Sequence, residues 1–219
     1  RLMKNPEKHF HTLRCQALKE VLEENNFEVW IAETIDKAKE IVTQEIIPRS
    51  KPETISWGGS MSFMETGITQ ALETMDGINV INVKEAGISK EEKAKRVKAA
   101  MTADLYFTGT NAVTEKGHLV NLDMVGNRVG ALTFGPKEVV VIAGQNKIVP
   151  DLGSAMERIK DYAAPTNAMR LDMKTPCTTS GHCMDCKSPN RICNTWTITE
   201  KAFPPKRVKV ILVLQDLGL

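Results

Sequence analysis

Asp104–Gly144, DLYFTGTNAVTEKGHLVNLDMVGNRVGALTFGPKEVVVIAG, decides how the rest of the chain is read. Leu105–Thr108 is a short apolar run led by an aspartate, and Gly109 lets the chain turn sharply after it. Asn111–Thr114 and His118–Leu122 flank Glu115-Lys116-Gly117, which predicts a hairpin with Gly117 as its turn residue. Asn127, Arg128 and Gly130 read as a glycine-bearing loop before a second buried run, Val139–Ala143. Polar and glycine residues thus collect at the ends of apolar strands, as they do where α/β sheets bind ligands.

Strand and helix alternate outward from this stretch in both directions. On the N-terminal side, Asn5–Asn26 has helical spacing, with Phe10, Leu13, Ala17 and Val21 as the expected apolar face and Cys15 as a buried thiol. Phe27–Ala32 is a strand. Thr34 caps a helix with Ala38, Ile41, Val42 and Ile46 inward, and Pro48 is expected to stop it. Thr54–Trp57 is a second strand that runs into Gly58-Gly59-Ser60, after which Ser62 and Glu65 have capping-box spacing. Ile78–Val83 is a strand, and Ser89 and Glu92 open a helix with Ala94, Val97 and Met101 inward. The lysines around Arg96 alternate with Glu91 and Glu92, the pattern of a solvated face.

On the C-terminal side, Asp151 caps a helix facing inward through Leu152, Ala155, Met156 and Ile159, and Val208–Leu214 is a final strand. This alternation predicts an α/β fold, a mostly parallel open sheet with helices on both faces. Residues 1–219 are read as one such domain, with a Cys-rich C-terminal loop inserted at about 165–205.

The 219 residues suffice for a substantial core, and a net charge of +2 gives no reason to expect nucleic acid as a partner. No apolar run reaches the roughly 20 residues that span a bilayer, and no signal-peptide core is visible, so a cytoplasmic protein is expected. The sequence opens on Arg1, an unusual first residue. Neither a nicotinamide fingerprint nor a phosphate-binding Walker pattern is present: Gly58-Gly59 lacks the third glycine and the downstream acid.

Cys177, Cys183, Cys186 and Cys193 follow the pattern Cys-x5-Cys-x2-Cys-x6-Cys. The central Cys-x2-Cys lets two thiolates reach one centre from a tight turn, and the flanking pair can complete a set of four. An iron–sulfur cluster, a structural zinc, and free or disulfide-bonded thiols all remain open. His182 reads as a turn residue beside a set that is already complete.

Two patterns suggest a ligand site. Strand, Gly58-Gly59-Ser60, then helix start is an arrangement that aims backbone N–H groups at an anion, though a tight turn alone also needs glycine. Thr108, Gly109, Thr110 and Asn111 end a strand, and Asp123, Asn127 and Arg128 can join them, with Arg128 suited to a carboxylate or phosphate. Glu115 is the candidate catalytic carboxylate, against a plain hairpin carboxylate paired with Lys116 or with water.

Three segments carry a family resemblance: Gly109-Thr110-Asn111-Ala112-Val113, Glu115-Lys116-Gly117 and Asn127-Arg128-Val129-Gly130. Together they resemble the core signature of the LUD (lactate-utilisation) domain. Trp57-Gly58-Gly59-Ser60 and Glu65-Thr66-Gly67 are similar to its upstream turn, and Val208–Gly218 to its last strand. The wider superfamily holds ribose-5-phosphate isomerases, glucosamine-6-phosphate deaminases and class I CoA-transferases. The resemblance implies that superfamily's fold, a small anionic metabolite as ligand, and a role in lactate or organic-acid utilisation beside iron–sulfur oxidoreductase subunits. A homo-oligomer fits the same picture.

In the CoA-transferases a Glu followed by Gly attacks the thioester. Glu115-Lys116-Gly117 resembles that arrangement, but the rest of the motif is absent. The alternatives are therefore an isomerase or CoA-transferase-like enzyme using Glu115, or a non-catalytic accessory subunit with a structural zinc loop.

Overall fold

The computed structural model describes residues 4–219, and Arg1 lies outside them. Six strands build the main sheet: β1 (Glu28–Ala32), β2 (Thr54–Trp57), β3 (Asn79–Ile81), β4 (Leu105–Gly109), β7 (Glu138–Gly144) and β10 (Val208–Val213), in the spatial order β1-β10-β7-β4-β2-β3. Every neighbouring pair is parallel. Four shorter strands form a second sheet: β5 (Ala112–Thr114), β6 (Leu119–Asp123), β8 (Ile148–Val149) and β9 (Thr195–Thr199), in the order β8-β5-β6-β9.

The apolar runs of β4, β7 and β10 are buried along their full length because helices cover both faces. Alternate residues go to opposite layers. Val139, Val141, Val210 and Leu212 pack with α1 (Pro6–Glu24), α6 (Lys90–Ala100) and α7 (Asn127–Thr133). Val140, Ile142, Ile211 and Val213 pack with α2 (Ile35–Glu40), α4 (Met61–Met64) and α5 (Ile68–Glu73). The predicted α/β class and parallel sheet are what the structure has.

Several local expectations are corrected. In α1 the buried stripe is Cys15, Leu18 and Leu22, while Phe10 and Leu13 are exposed. The two stripes lie side by side on the helix, and the sheet selects the second; Phe10 instead packs edge-on to His11 and lies under the Arg14 guanidinium. Pro48 does not end its helix. A π-helical segment, Ile41–Ile46, widens the turn before α3 (Ile47–Ser50), so the missing proline N–H falls at a helix start. The helix ends at Lys51, which adopts a left-handed conformation. Ser60, not Ser62, caps α4 through Phe63 N, and Ser62 is buried against the Leu217 carbonyl. Residues expected as a loop around Asn127–Arg128 form α7.

The Cys-rich segment is less of a loop than expected. A helix runs from α8 (Leu152–Arg158) through a π-turn, Ile159–Ala163, into α9 (Ala164–Arg170). After α10 (Cys177–Ser180) the chain returns as β9 along β6. Residues 171–176, 181–194 and 200–207 lack regular structure in this region. Among the described residues no helix is long and apolar enough to cross a membrane.

Asp104 sits at the opposite end of the sheet from the glycine turns. Its carboxylate accepts from Glu53 N, Thr54 N and Thr54 Oγ1 at 2.9–3.0 Å, which ties β2 to β4. These donors hold its pKa below the usual range against the opposing effect of burial. It is a structural residue, as a strand-start aspartate would be.

Candidate functional site

β2 leads outward to β3, while β4 leads the other way to β7. The strand order reverses there, and open α/β sheets bind ligands at such a point, beyond the carboxyl ends of the strands. A crevice of about 280 Å³ opens at this place. Gly59 and Ser60 follow β2, Thr108 and Thr110 end β4, and Lys147 follows β7. Asn111 and Asp123 enter from the second sheet, and Asn127 and Arg128 from the start of α7.

Close packing dictates small residues here. A Cβ on Gly109 would stand 2.3 Å from Ser60 Oγ, the atom that caps α4. Gly109 therefore lets β4 and the Gly58-Gly59-Ser60 turn approach each other. The hairpin is as expected: β5 and β6 are antiparallel, and Gly117 takes φ +77° beneath Val21 and Asn25 of the N-terminal helix region.

The floor of the crevice is a network of polar side chains. Arg128 Nε donates to Asp123 Oδ1 at 2.8 Å, and Nη2 donates to Asn111 Oδ1 at 2.7 Å. Asp123 Oδ2 accepts from Val129 N at 3.0 Å, and Asn111 Oδ1 also accepts from Leu122 N at 2.9 Å. Asn121, fully buried, accepts from Asn111 N. Tyr106 lies beneath: burial pushes its phenol up to about 12, against the opposing hydrogen bond with the Asn127 side chain.

Most of the predicted ligand residues come together. Gly59, Ser60, Thr108, Thr110, Asn111, Asp123, Asn127 and Arg128 line one crevice. Gly109 and Gly58 stand behind it, with a Cβ on Gly58 brought to 2.9 Å from the Tyr106 hydroxyl. The helix after Ser60 has only 4 residues, too few to build a substantial dipole.

Glu115 stands apart from this group. It lies at the hairpin tip, half exposed, with Arg14 Nε donating to it at 2.6 Å. The pairing partner is Arg14 of α1, which sequence spacing could not indicate, rather than Lys116 or water alone.

Cations line the crevice that single-residue motifs did not reveal. Lys84 and Arg170 are exposed at its rim, and Lys147 lies inside with 4% of its surface accessible. Burial, with the nearby Arg158 and Arg128 guanidiniums, depresses the Lys147 ammonium to about 7. Burial and the neighbouring Arg170 and Lys93 charges lower Lys84 as well. Arg158 donates to the carbonyls of Asn146 and Asn111 and so fixes the Lys147 loop against β5. The available sequence signal was positional: Lys147 lies three residues past the end of β7, at the carboxyl edge of the sheet.

The four cysteines also converge. Cys177, Cys183, Cys186 and Cys193 line one small cavity of about 20 Å³ with Lys160, Asp185 and Arg191. Arg191 organises it, donating to the carbonyls of Cys186 and Cys193 at 2.6 and 2.8 Å and to Asp185 at 2.9 Å. Lys160 meets the same Asp185 carboxylate. Asp185 takes φ +46° inside the Cys183–Cys186 turn, and its N–H donates to Cys183 Sγ at 3.4 Å. Burial raises the Cys193 thiol, with Lys160 opposing that shift and Cys183 adding to it. The fifth cysteine, Cys15, is buried in the core, where burial pushes its thiol up to about 11. Among the described residues, no three His, Cys, Asp or Glu side chains stand grouped as ligands of one metal ion. His182 is an exposed turn residue bonded to Ser180.

The cavity and the crevice share a wall. Ile192 lines both, and along the π-turn Ile159 faces the crevice while Lys160 faces the cysteines.

The family model described as LUD domain matches residues 15–213. The chain belongs to the LUD-domain family. Among solved structures, this LUD domain is similar to a DUF162 family protein from Deinococcus radiodurans. The sequence identity is 14%, the TM-score is 0.50, and the match covers 93% of this chain and 98% of the other. At that identity the likeness speaks for the fold. No curated protein matches the sequence.

Proposed function

We propose that this LUD domain binds a small organic anion of the lactate type in the switch-point crevice, beside an iron–sulfur group held by the four cysteines. Family membership supports an association with lactate utilisation in general. The finer reading rests on one observation: Lys84, Arg128 and Arg170 line the crevice, with the Lys147 amine inside it, and Asp123, its one lining Asp or Glu side chain, is already occupied by Arg128. Such a surplus of positive charge in a concave site favours a carboxylate ligand.

The test is calorimetric titration of lactate into the protein at low salt. Arg170→Ala is expected to weaken binding by about tenfold, equivalent to ~1.4 kcal/mol. Glu115→Gln is expected to leave the affinity unchanged, because its partner is Arg14 on another surface. The Glu115 change costs at most about 1 kcal/mol of stability, as an exposed ion pair does. Binding lost in Glu115→Gln and retained in Arg170→Ala would return the site to the hairpin and favour the CoA-transferase-like alternative.

The donor set of the cysteine cavity fits an iron–sulfur group. Four soft thiolates line one space, a backbone N–H meets a sulfur, and Lys160 and Arg191 offset the negative charge that four thiolates bring. Four thiolates from one short segment are a ligand set that a cluster and a zinc ion share, so the metal and sulfide content decides between them. An iron–sulfur group supplies one-electron transfer. Cys177, Cys183, Cys186 and Cys193 would hold it, and Ile192 would separate it from the crevice. Iron and acid-labile sulfide in protein purified without oxygen are expected in comparable amounts, with absorbance near ~400 nm. Cys183→Ser should abolish both. Zinc without sulfide would make the loop a structural clasp.

A further inference from the structure

Two lysines in the described chain are almost fully buried, and they are treated differently. Lys209, 5% accessible, is met by Glu28 Oε2 at 3.2 Å and Glu138 Oε1 at 3.3 Å. Lys147, 4% accessible, makes no ion pair with an Asp or Glu side chain among the described residues. Its charged neighbours are Arg158 on α8 and Arg128 on α7, and the field of Glu65 is the weakest influence on it. Glu65 itself accepts from Gly218 N at 2.9 Å. The fold thus pairs one buried lysine with two glutamates and leaves the other beside two guanidiniums, with the Leu219 oxygen as its hydrogen-bond acceptor. A structural ammonium needs the first arrangement. A free amine needs the second.

The Lys147 amine is aimed at the crevice. Its Nζ donates to the Leu219 carbonyl oxygen, and Leu219 lines the same crevice, so an oxygen already stands where a ligand atom would meet the amine. Arg128 on the floor and Arg170 and Lys84 at the rim surround the entrance. A carboxylate held by these cations would bring a neighbouring carbon to Lys147.

We propose that Lys147 is a nucleophilic amine that forms an imine with a small carboxylate carrying a ketone or aldehyde group. The proposal rests on the crevice being the anion site. The Nζ lone pair attacks the carbonyl carbon, a C–N bond forms, and the carbonyl π pair moves to oxygen. The C–O bond then breaks, and the oxygen leaves as one water that carries the two hydrogens of the amine. Nothing is oxidised or reduced, and no co-reactant is required. Lys147 therefore distinguishes an oxo acid from the corresponding hydroxy acid, which the crevice binds by charge alone.

The experiment uses the full chain, pyruvate or glyoxylate as probe, and sodium borohydride to reduce an imine to a stable secondary amine, followed by peptide mapping. The expected result is one adduct, on Lys147, absent with lactate as probe and absent in Lys147→Met. Mapping on the unaltered protein reads the site directly even if the variant folds poorly. Lactate binding is measured in parallel by titration. Binding without an adduct on Lys147, or adducts spread over exposed lysines and unchanged in Lys147→Met, overturns the imine and leaves the anion crevice standing. Absence of both binding and adduct overturns the crevice reading together with it.

Discussion

Arg128→Ala is expected to destabilise the protein by about 3–5 kcal/mol, the range for breaking a buried ion pair from one side. Asp123 is 6% accessible and Arg128 18%, so neither charge is relieved by water. Removing the guanidinium strands the Asp123 carboxylate and withdraws a donor from Asn111 Oδ1, the atom that also anchors Leu122 N. The crevice floor should lose its shape together with its charge, so lactate binding should vanish with the stability. Urea denaturation checks the first part. Combining Arg128→Ala with Asp123→Asn should recover much of the loss, because the neutral amide can still accept from Val129 N. A loss under about 0.5 kcal/mol in Arg128→Ala would mean that the pair behaves as a surface contact.

Stability is expected to rise with pH between about 7 and the ordinary lysine value of 10.5, because Lys147 titrates at about 7 in the folded protein. Within that window the unfolded chain holds a proton on this amine and the folded chain does not, so raising the pH favours folding. Below the window both states are protonated and the cost of the buried charge is fully present; above it both are neutral and the cost is gone. The depression is worth at most about 5 kcal/mol across the window. Lys147→Met should abolish that slope and raise stability near neutral pH, since a methionine of similar length brings no charge into a site beside Arg158 and Arg128. Urea midpoints at several pH values, compared between the two proteins, measure the difference and cancel the other titrating groups. Parallel pH profiles would show that Lys147 is solvated or paired.

Much of the site was legible in local residue order. Thr108-Gly109-Thr110-Asn111 could be placed at the carboxyl end of a strand because an apolar run followed by glycine and polar residues is a local pattern. The cysteine quartet was legible for the same reason, since its spacing limits how far apart the thiols can lie. Arg191 was not, because its part is to bond two backbone carbonyls that nothing in the spacing singles out. Glu115 carried a family-like motif, yet the residue that engages it is Arg14, 101 positions away.

By itself the sequence determined the α/β class, the alternation of the main-sheet strands with helices, the hairpin at Gly117 and the family. These depend on periodicity and short motifs, which are properties of neighbouring residues. Tertiary structure alone decided that the last strand, β10, lies between β1 and β7, and that the second stripe of α1 is the buried one. It also decided that Glu115 faces away from the crevice and that Lys147, unlike Lys209, is buried among positive charges. The reason is physical: pairing, burial and charge environment depend on which distant segments are brought together, and a lysine reads the same in sequence whether two glutamates or two guanidiniums await it.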